Sequence, residues 1–477
     1  MPRRAFSVQR TALLSAEELT RIEEAMVRIL DECGIAVLDE ELIERLRREG
    51  FRTNGNRVFV EPRLVREFLE AERTRNGDQF GEGPAGIGAA PSPITVYLSQ
   101  YPQHVHDVST DRIVPFTTER LIEATKLVDV LSERGVIYSP PGTPADVPPA
   151  LQPVLQYWVA ATYSRHGQHP IDPKAEVSFD YVMQMADALG HPVRHLPVYV
   201  FSPLTLGGES LRCVLKLRDR LSGIGVSSMP SAGCTAPIHV GDAFALAAAE
   251  VIGSVILLRA VLELDVYWTV GLFPIDLHSM AMVFGSPENF LFQLMGHEVT
   301  AYLGGTRWYP AAGNIHTSAQ LPGPQACAEK SSLMTAGALL GERRFGSAGT
   351  LSLDEVFSAE QLLYDLEIKD HVQRLIDGMD GECDPGRCAE EVAAALEEGT
   401  FAGLSSTASA YRDLYWHPRL FGRQFLGAWQ RDGGKSIRAQ AHAMIRDLIA
   451  RHDFHLEPAL QSELDRILSR ARADLGG

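Results

Sequence analysis

At 477 residues, 45 % of them hydrophobic, the chain can bury a substantial core, either as one large barrel with additions or as two or three ordinary domains. Its 61 acidic residues against 44 basic ones give a formal charge of −17, which argues against nucleic acid or an anionic membrane surface as a partner, since both are held by clustered Lys and Arg. The start, Met1-Pro2-Arg3-Arg4, leads directly into polar residues rather than an apolar leader segment, and the longest apolar run, Phe244 to Leu258, is short for a bilayer and carries Glu250 in its middle. A cytoplasmic protein is therefore expected, and the six scattered cysteines, at 33, 213, 234, 327, 383 and 388, suit reduced thiols.

In chain order, Ser15 with Glu18 forms a capping-box signature, and Leu19, Ile22, Met26, Ile29 and Leu30 then recur on one helical face up to Gly34. A second helix is expected over Glu40 to Arg48, an extended run over Arg57 to Val60, and a third helix from Pro62, so that residues 1–80 read as a helical appendage. Residues 81–93 are rich in Gly, Ala and Pro and read as a linker.

From Ile94 onward short apolar runs alternate with helical patterns. Strands are expected at Thr95 to Leu98, Val136 to Tyr138, Pro197 to Phe201, Ile224 to Ser228, Val266 to Val270 and Arg307 to Pro310. Helices are expected at Glu119 to Glu133, Pro153 to Ser164, Val177 to Leu189, Leu211 to Leu221, Gly241 to Glu263 and Pro287 to Leu303. This alternation predicts an α/β fold, a (β/α)8 TIM barrel over residues 94–370, with a C-terminal helical region over 371–477 packing on it. The helix from Gly241 to Glu263 is apolar nearly all round, which predicts burial against neighbours or against another subunit of a homo-oligomer. After Asp365 the pattern is helical only, at Val372 to Met379, Glu390 to Leu396, Ala408 to Tyr415, Lys435 to Ala450 and Glu457 to Leu475.

In such a barrel chemistry sits where strands open into loops. His316 lies in a Gly/Asn/Ser/Pro loop just beyond Trp308-Tyr309, where an imidazole can donate to a substrate, shuttle a proton or bind a metal. Tyr267, Trp268, Phe273, Trp308 and Tyr309 stand at or just past strand ends. Aromatic faces and carboxylates are what holds a quaternary ammonium, which has no N–H to donate; Glu250, Asp276 and Asp365 are the candidate negative partners. The small residues around Gly233 and Cys234, before the long apolar helix, permit close approach of a large planar cofactor, and Gly313 and Asn314 stand in a similar position before His316. His104, His106, Cys234 and His239 are weak metal-ligand candidates, because no pair of them comes with a defined third ligand. Ordinary barrel packing and loop hydrogen bonding are the competing explanations for all of these residues. There is no Walker loop, Gly-x-Ser-x-Gly elbow, His-Glu-x-x-His or dinucleotide fingerprint.

Tyr309-Pro310-Ala311-Ala312-Gly313-Asn314-Ile315-His316, followed by Pro322, Gln325 and Glu329-Lys330, then Gly346 to Gly349 and Phe357 to Asp365, resembles the trimethylamine:corrinoid methyltransferase family. The likeness extends to Ile29 to Asp39, His106-Asp107 with Arg112, Thr117 to Asp129, Pro144 to Pro148, Ser202 to Leu204, Gly233 to Pro237, Ala249 to Val251 and Gly285 to Glu288. In this register His316 occupies the position of the pyrrolysine of pyrrolysine-containing members. Thr317-Ser318 stands where the family has Ser-Asp, and Ser406-Thr407 where it has His-Thr. The resemblance implies a barrel that passes a methyl group from an amine to cob(I)alamin on a separate corrinoid-binding protein, with quaternary amines such as glycine betaine as substrates of members lacking pyrrolysine. Under it Trp308, Tyr309, Tyr267 and Trp268 form the cage, Glu250 or Asp276 balances the cation, and His316 orients substrate or corrin. Two alternatives stay open: a corrinoid-independent enzyme on the same barrel using His316 as acid/base or metal ligand, and a non-catalytic binder of methylated amines.

Overall fold

The computed structural model describes residues 5–8, 10–76, 93–168, 171–305 and 313–476. The first helix, Ala16–Glu32, opens on the expected capping box: the Ser15 side chain accepts from the Glu18 N–H, and the Glu18 carboxylate accepts from the Ser15 N–H at 2.7 Å. Helices Glu40–Arg48 and Pro62–Asn76 follow as expected. The appendage is also tied to the main sheet, which the sequence does not announce. Strand Ile35–Val37 pairs antiparallel with Arg57–Phe59 and parallel with Thr205–Leu206, closing a sheet that continues into the barrel strands. All its residues are buried, so it lacks the polar alternation by which a half-exposed strand is recognised.

Two parallel arcs form the centre. His195–Phe201, Gly223–Ser228 and Asp265–Trp268 pair in sequence order, and Arg344–Phe345, Thr95–Tyr97 and Val136–Ile137 form the second arc. Asn314 extends the second arc through a parallel bridge to Gly346. With helices Thr118–Leu131, Gln152–Tyr163, Glu176–Ala188, Gly208–Leu217, Val240–Val261 and Pro287–Tyr302 between the strands, the arrangement is a curled α/β sheet consistent with a (β/α)8 fold carrying helical additions. The expected strand Arg307 to Pro310 and nearly all of the expected linker lie outside the described residues.

Helix Val240–Val261 is long and apolar enough to cross a membrane by composition, but 78 % of its most apolar window is buried inside the protein. It packs against Ala16–Glu32, Glu40–Arg48 and Pro62–Asn76 on one side and the barrel strands on the other, so its all-round hydrophobicity is used within one chain. Gly253 makes the closest approach: a Cβ there would meet Ile35 Cδ1 at 2.4 Å and Leu30 Cδ2 at 2.5 Å.

Helix Ala359–Ile376 runs unbroken across the expected boundary at residue 370 and starts well before the expected Val372. Buried polar residues Glu360, Gln361, Asp365, Glu367 and Lys369 obscure its amphipathic period. Ile437–Ala450 and Pro458–Leu475 pad the barrel helices from outside. A small sheet formed by Thr350–Leu351, Val356–Phe357, His104–Asp107 and Arg112–Pro115 links loops that leave the second arc at its C-terminal end.

Candidate active site

Residues 313–315 run beside the end of strand Arg344–Phe345. The Gly346 N–H donates to Gly313 O at 2.7 Å and the Ile315 N–H to Gly346 O at 3.2 Å. Gly313 is required there, because a Cβ would stand 2.7 Å from Arg344 O. Gly313 and Asn314 therefore build wall, and His316 is the first side chain past it. Its Nε2 lies 2.7 Å from Ser347 Oγ and 3.2 Å from Asp354 Oδ2, while its Nδ1 is buried and has no partner. The Phe284 ring meets the imidazole edge-on, centroids 5.0 Å apart, and Phe273 stands 5.4 Å from Phe284. Burial opposes ionisation of Asp354, but the hydrogen bond and charge of His316, helped by Ser99 and Lys330, outweigh it and hold the carboxyl below its usual range.

The loop carrying His316 is clamped on both sides. Glu329 accepts from the Thr317 hydroxyl and from the Ser318 N–H at 2.9 Å, and Gln325 donates to its other oxygen at 2.8 Å. The Leu353 N–H donates to Thr317 O and the Ser352 N–H to Ala319 O, which draws Asp354 to the imidazole. Ser347, Ser352 and Leu353 all have positive φ, at 67°, 47° and 63°. Each such non-glycine residue costs about 1–3 kcal/mol, and the surrounding bonds hold this strained geometry beside His316. Thr317 and Ser318 thus supply the groups by which the loop is fastened.

A second polar group adjoins the first. Asp172 Oδ2 accepts from the hydroxyls of Tyr101 and of Tyr199, the latter at 2.8 Å, and Lys174 Nζ donates to Thr143 Oγ1 at 2.7 Å. Nothing in the sequence marks Tyr101, Asp172, Lys174, Tyr199, Phe284, Ser347 or Asp354 as partners; they come from different strand-end loops. Asp172-Pro173-Lys174 is the one local hint, opposite charges around a proline that forces extension.

Several expected site residues lie elsewhere. Trp268 Nε1 donates to Glu72 Oε2 at 2.9 Å and its ring meets Phe68, so it packs on helix Pro62–Asn76; Tyr267, adjacent on the strand, faces the opposite side and lies 6.2 Å from the His195 ring. Neighbours on one strand cannot share a cage. Trp308 and Tyr309 are outside the described residues. Glu250 is wholly buried: the Leu204 N–H donates to Oε1 at 2.9 Å and the Ser202 hydroxyl to Oε2 at 2.8 Å, so it fastens the turn after His195–Phe201. Burial raises its carboxyl above the ordinary range, against those two donors. Asp365 is equally enclosed, accepting from Lys330 Nζ at 2.8 Å, the Gly349 N–H at 2.7 Å and Gln361 at 2.8 Å. Asp276 accepts from the His278 and Ser279 N–H groups and the Ser279 hydroxyl, which builds an exposed hairpin turn.

Of the metal candidates, His106 is buried between Ser358 Oγ at 3.2 Å and Asp111 Oδ1 at 2.9 Å, whereas His104, Cys234 and His239 are exposed. Among the described residues no group of three or more His, Cys, Asp or Glu could hold a metal ion. Gly233 and Cys234 form a tight turn in which Ser231 O accepts from the N–H groups of Cys234, Thr235 and Ala236. A cavity of about 440 Å³, lined by Arg75, Arg259 and Asp265 among others, opens at the N-terminal strand ends, away from His316.

Residues 2–476 match the family model of trimethylamine methyltransferase (MTTB). The chain belongs to the trimethylamine methyltransferase family. The family resemblance carried by the residues is thereby borne out along the whole chain. Similar family proteins include trimethylamine methyltransferase MttB1 of Methanosarcina mazei, 23 % identical over 467 residues that cover 92 % of this chain and 91 % of that protein. They also include a glycine betaine methyltransferase of Desulfitobacterium hafniense, 21 % identical over 491 residues that cover 97 % of each. Among solved structures, the monomethylamine methyltransferase MtmB of Methanosarcina barkeri aligns with 11 % identity and a TM-score of 0.40, covering 98 % of this chain and 95 % of that one.

Proposed function

We propose that the protein is a methyltransferase that moves a methyl group from a small quaternary amine of the glycine betaine type to cob(I)alamin held by a corrinoid-binding partner, in the cytoplasm. The observation that carries this is family membership over residues 2–476 together with similarity to a glycine betaine methyltransferase over 97 % of both chains. A quaternary nitrogen already bears its positive charge. When its C–N bond breaks, the electron pair stays on nitrogen and a neutral tertiary amine leaves, with no proton to supply and no covalent adduct to form. The protein's contribution then reduces to orientation and electrostatics. His316, fixed by Ser347 and Asp354 with one imidazole nitrogen unbonded, orients the amine, and the Phe284 and Phe273 rings give its methyl groups an apolar wall.

The rim beside this loop fits a large flat group carried on another protein. Gly233 and Cys234 are exposed, and exposed Ile238 and Leu277 meet at Gly233, where a Cβ would stand 2.8 Å from Ile238 Cδ1. A corrin brought there in its reduced state supplies the nucleophile that accepts the methyl group. The proposal includes self-association, for which exposed Leu396, Phe425 and Leu426 of the C-terminal helices offer an apolar surface.

The test is anaerobic incubation of the purified protein with cob(I)alamin and a panel of quaternary amines, following methylcobalamin by absorbance. Formation of methylcobalamin with at least one betaine-type amine is expected. No formation across the panel, even with the corrinoid partner added, overturns the proposal.

A further inference from the structure

Asp172 and Lys174 flank Pro173 in an extended segment whose burial alternates: Ile171 and Pro173 are buried, and the two charged residues share the partly open side. Although opposite in charge, they form no ion pair with each other. Asp172 is held through Oδ2 by the two phenols, and Lys174 donates to Thr143 with its Nζ 5.3 Å from the centroid of the Tyr101 ring. Asp172 Oδ1 and the remaining ammonium hydrogens have no hydrogen-bond partner among the described residues. A half-buried ammonium with one protein acceptor is an incomplete arrangement, because its remaining donors have capacity for a ligand. Burial pushes Lys174 down to about 8, with the charge of Asp172 pulling the other way, while burial raises both phenols so that they stay neutral donors. The cluster adjoins His316: Ser99, two residues before Tyr101, helps to hold the Asp354 carboxyl low, and the charge of Asp354 bears on the Tyr101 phenol.

Here, then, are a negative and a positive group on one face, each with capacity left over and with two aromatic rings between the strand ends. The complement of such a surface is a small zwitterion. We propose that Tyr101, Tyr199, Asp172 and Lys174 form a subsite that reads both poles of a carboxylate-bearing quaternary amine, with Lys174 as the residue that distinguishes it from a simple tetraalkylammonium. The quaternary nitrogen rests against the phenol rings and Asp172 Oδ1, and the substrate carboxylate accepts from Lys174. This rests on the quaternary-amine function proposed above and assigns the residues that read the two poles of its substrate. A cation without a carboxylate fills the aromatic half and leaves Lys174 with its charge uncompensated, which a site built to hydrogen-bond its ligand discriminates against.

Calorimetric titration of the full chain with glycine betaine and with tetramethylammonium tests this, using wild type, Lys174→Met and Lys174→Arg. The expected result is that wild type prefers betaine, that Lys174→Met loses affinity for betaine by on the order of 10- to 100-fold while tetramethylammonium binding changes less than about twofold, and that Lys174→Arg recovers most of the loss. Tetramethylammonium binding also reports that the Met variant is folded. Betaine bound equally by wild type and Lys174→Met overturns the subsite and leaves the amine function standing. Equal losses of both ligands in Lys174→Met, with no recovery in Lys174→Arg, overturn the carboxylate-reading role. Failure of wild type to bind either cation overturns the amine function itself.

Discussion

Two sets of polar side chains, one buried and one largely half-buried, lie near the C-terminal strand ends, and they differ in what is left unbonded. Lys330, Asp365 and Glu250 have acceptors and donors matched by protein: Lys330 holds Ser347 O and Asp365, Asp365 takes three donors, and Glu250 takes two. His316 Nδ1 and Asp354 Oδ1 are buried with no protein partner, Asp172 Oδ1 accepts no hydrogen bond from the described residues, and Lys174 has Thr143 as its single acceptor. A saturated buried group can only hold the fold, since a ligand would have to break bonds already made. An unsaturated one gains by binding. This separates Asp365 and Glu250, which sequence reasoning puts beside the substrate, from the residues that have bonds to offer.

The largest expected effect falls on the saturated set. Lys330→Met leaves Asp365 buried and unpaired and frees Ser347 O, at an expected cost of about 3–5 kcal/mol of folding stability. Replacing both partners, Lys330→Met with Asp365→Leu, should recover much of this, because no lone charge remains. Urea unfolding of the single and double variants measures it; a single variant within about 1 kcal/mol of wild type would show that the pair is not the anchor inferred from its geometry.

Breaking the unsaturated set should act on turnover instead. His316→Ala is expected to lower kcat/KM for methyl transfer about 100-fold by misplacing the substrate, with stability changed by no more than about 1 kcal/mol. The two variants thus exchange their effects, one on folding and one on chemistry. A His316→Ala protein that melts early but turns over normally reverses the assignment.

The layout of the fold was legible because its signals are local. The capping box at Ser15, the apolar strands around Ile224 and Val266, and the helices between them follow from period and punctuation alone. Strand Ile35–Val37 was hidden by its two-sided burial, and the start of helix Ala359–Ile376 by the buried polar residues it carries. His316 could be singled out from its loop. Its partners could not, since Ser347 and Asp354 are 31 and 38 residues away and are brought in by backbone bonds through positive-φ residues. The cage of Tyr267 with Trp268 fails for an elementary reason, that adjacent strand residues face opposite ways. Opposite charges flanking Pro173 carry the same period-two rule in the other direction.

Within the unsaturated set, pH offers a finer measurement. Lys174 faces Asp172, Tyr101 and Thr143, and both phenols stay neutral as pH rises, so the group that changes charge near pH 8 is the ammonium. Losing its proton removes the pole that receives the substrate carboxylate. Betaine affinity should therefore fall about tenfold between about pH 7 and about pH 9, while tetramethylammonium affinity and the betaine affinity of Lys174→Met stay flat over that interval. A wild-type profile as flat as the variant's would detach the carboxylate from Lys174.

The smallest expected effect belongs to Glu250, and its sign tells whether saturation makes a buried carboxylate helpful. Burial raises its pKa in the folded protein, against the donors Leu204 N–H and Ser202 Oγ. The folded state then binds the proton more tightly than the unfolded chain. Stability from this group is fully present below the unfolded pKa and is lost as pH rises through the raised folded value. Glu250→Gln keeps the shape and one carbonyl acceptor but cannot ionise, so it should flatten that decline and leave stability at neutral pH within about 1 kcal/mol of wild type. Urea unfolding of both proteins across mildly acidic to neutral pH gives the two slopes. If the Gln variant declines as steeply as wild type, the charge of Glu250 is fully compensated by its two donors, and saturation alone, without regard to charge, accounts for how this half of the strand ends is held.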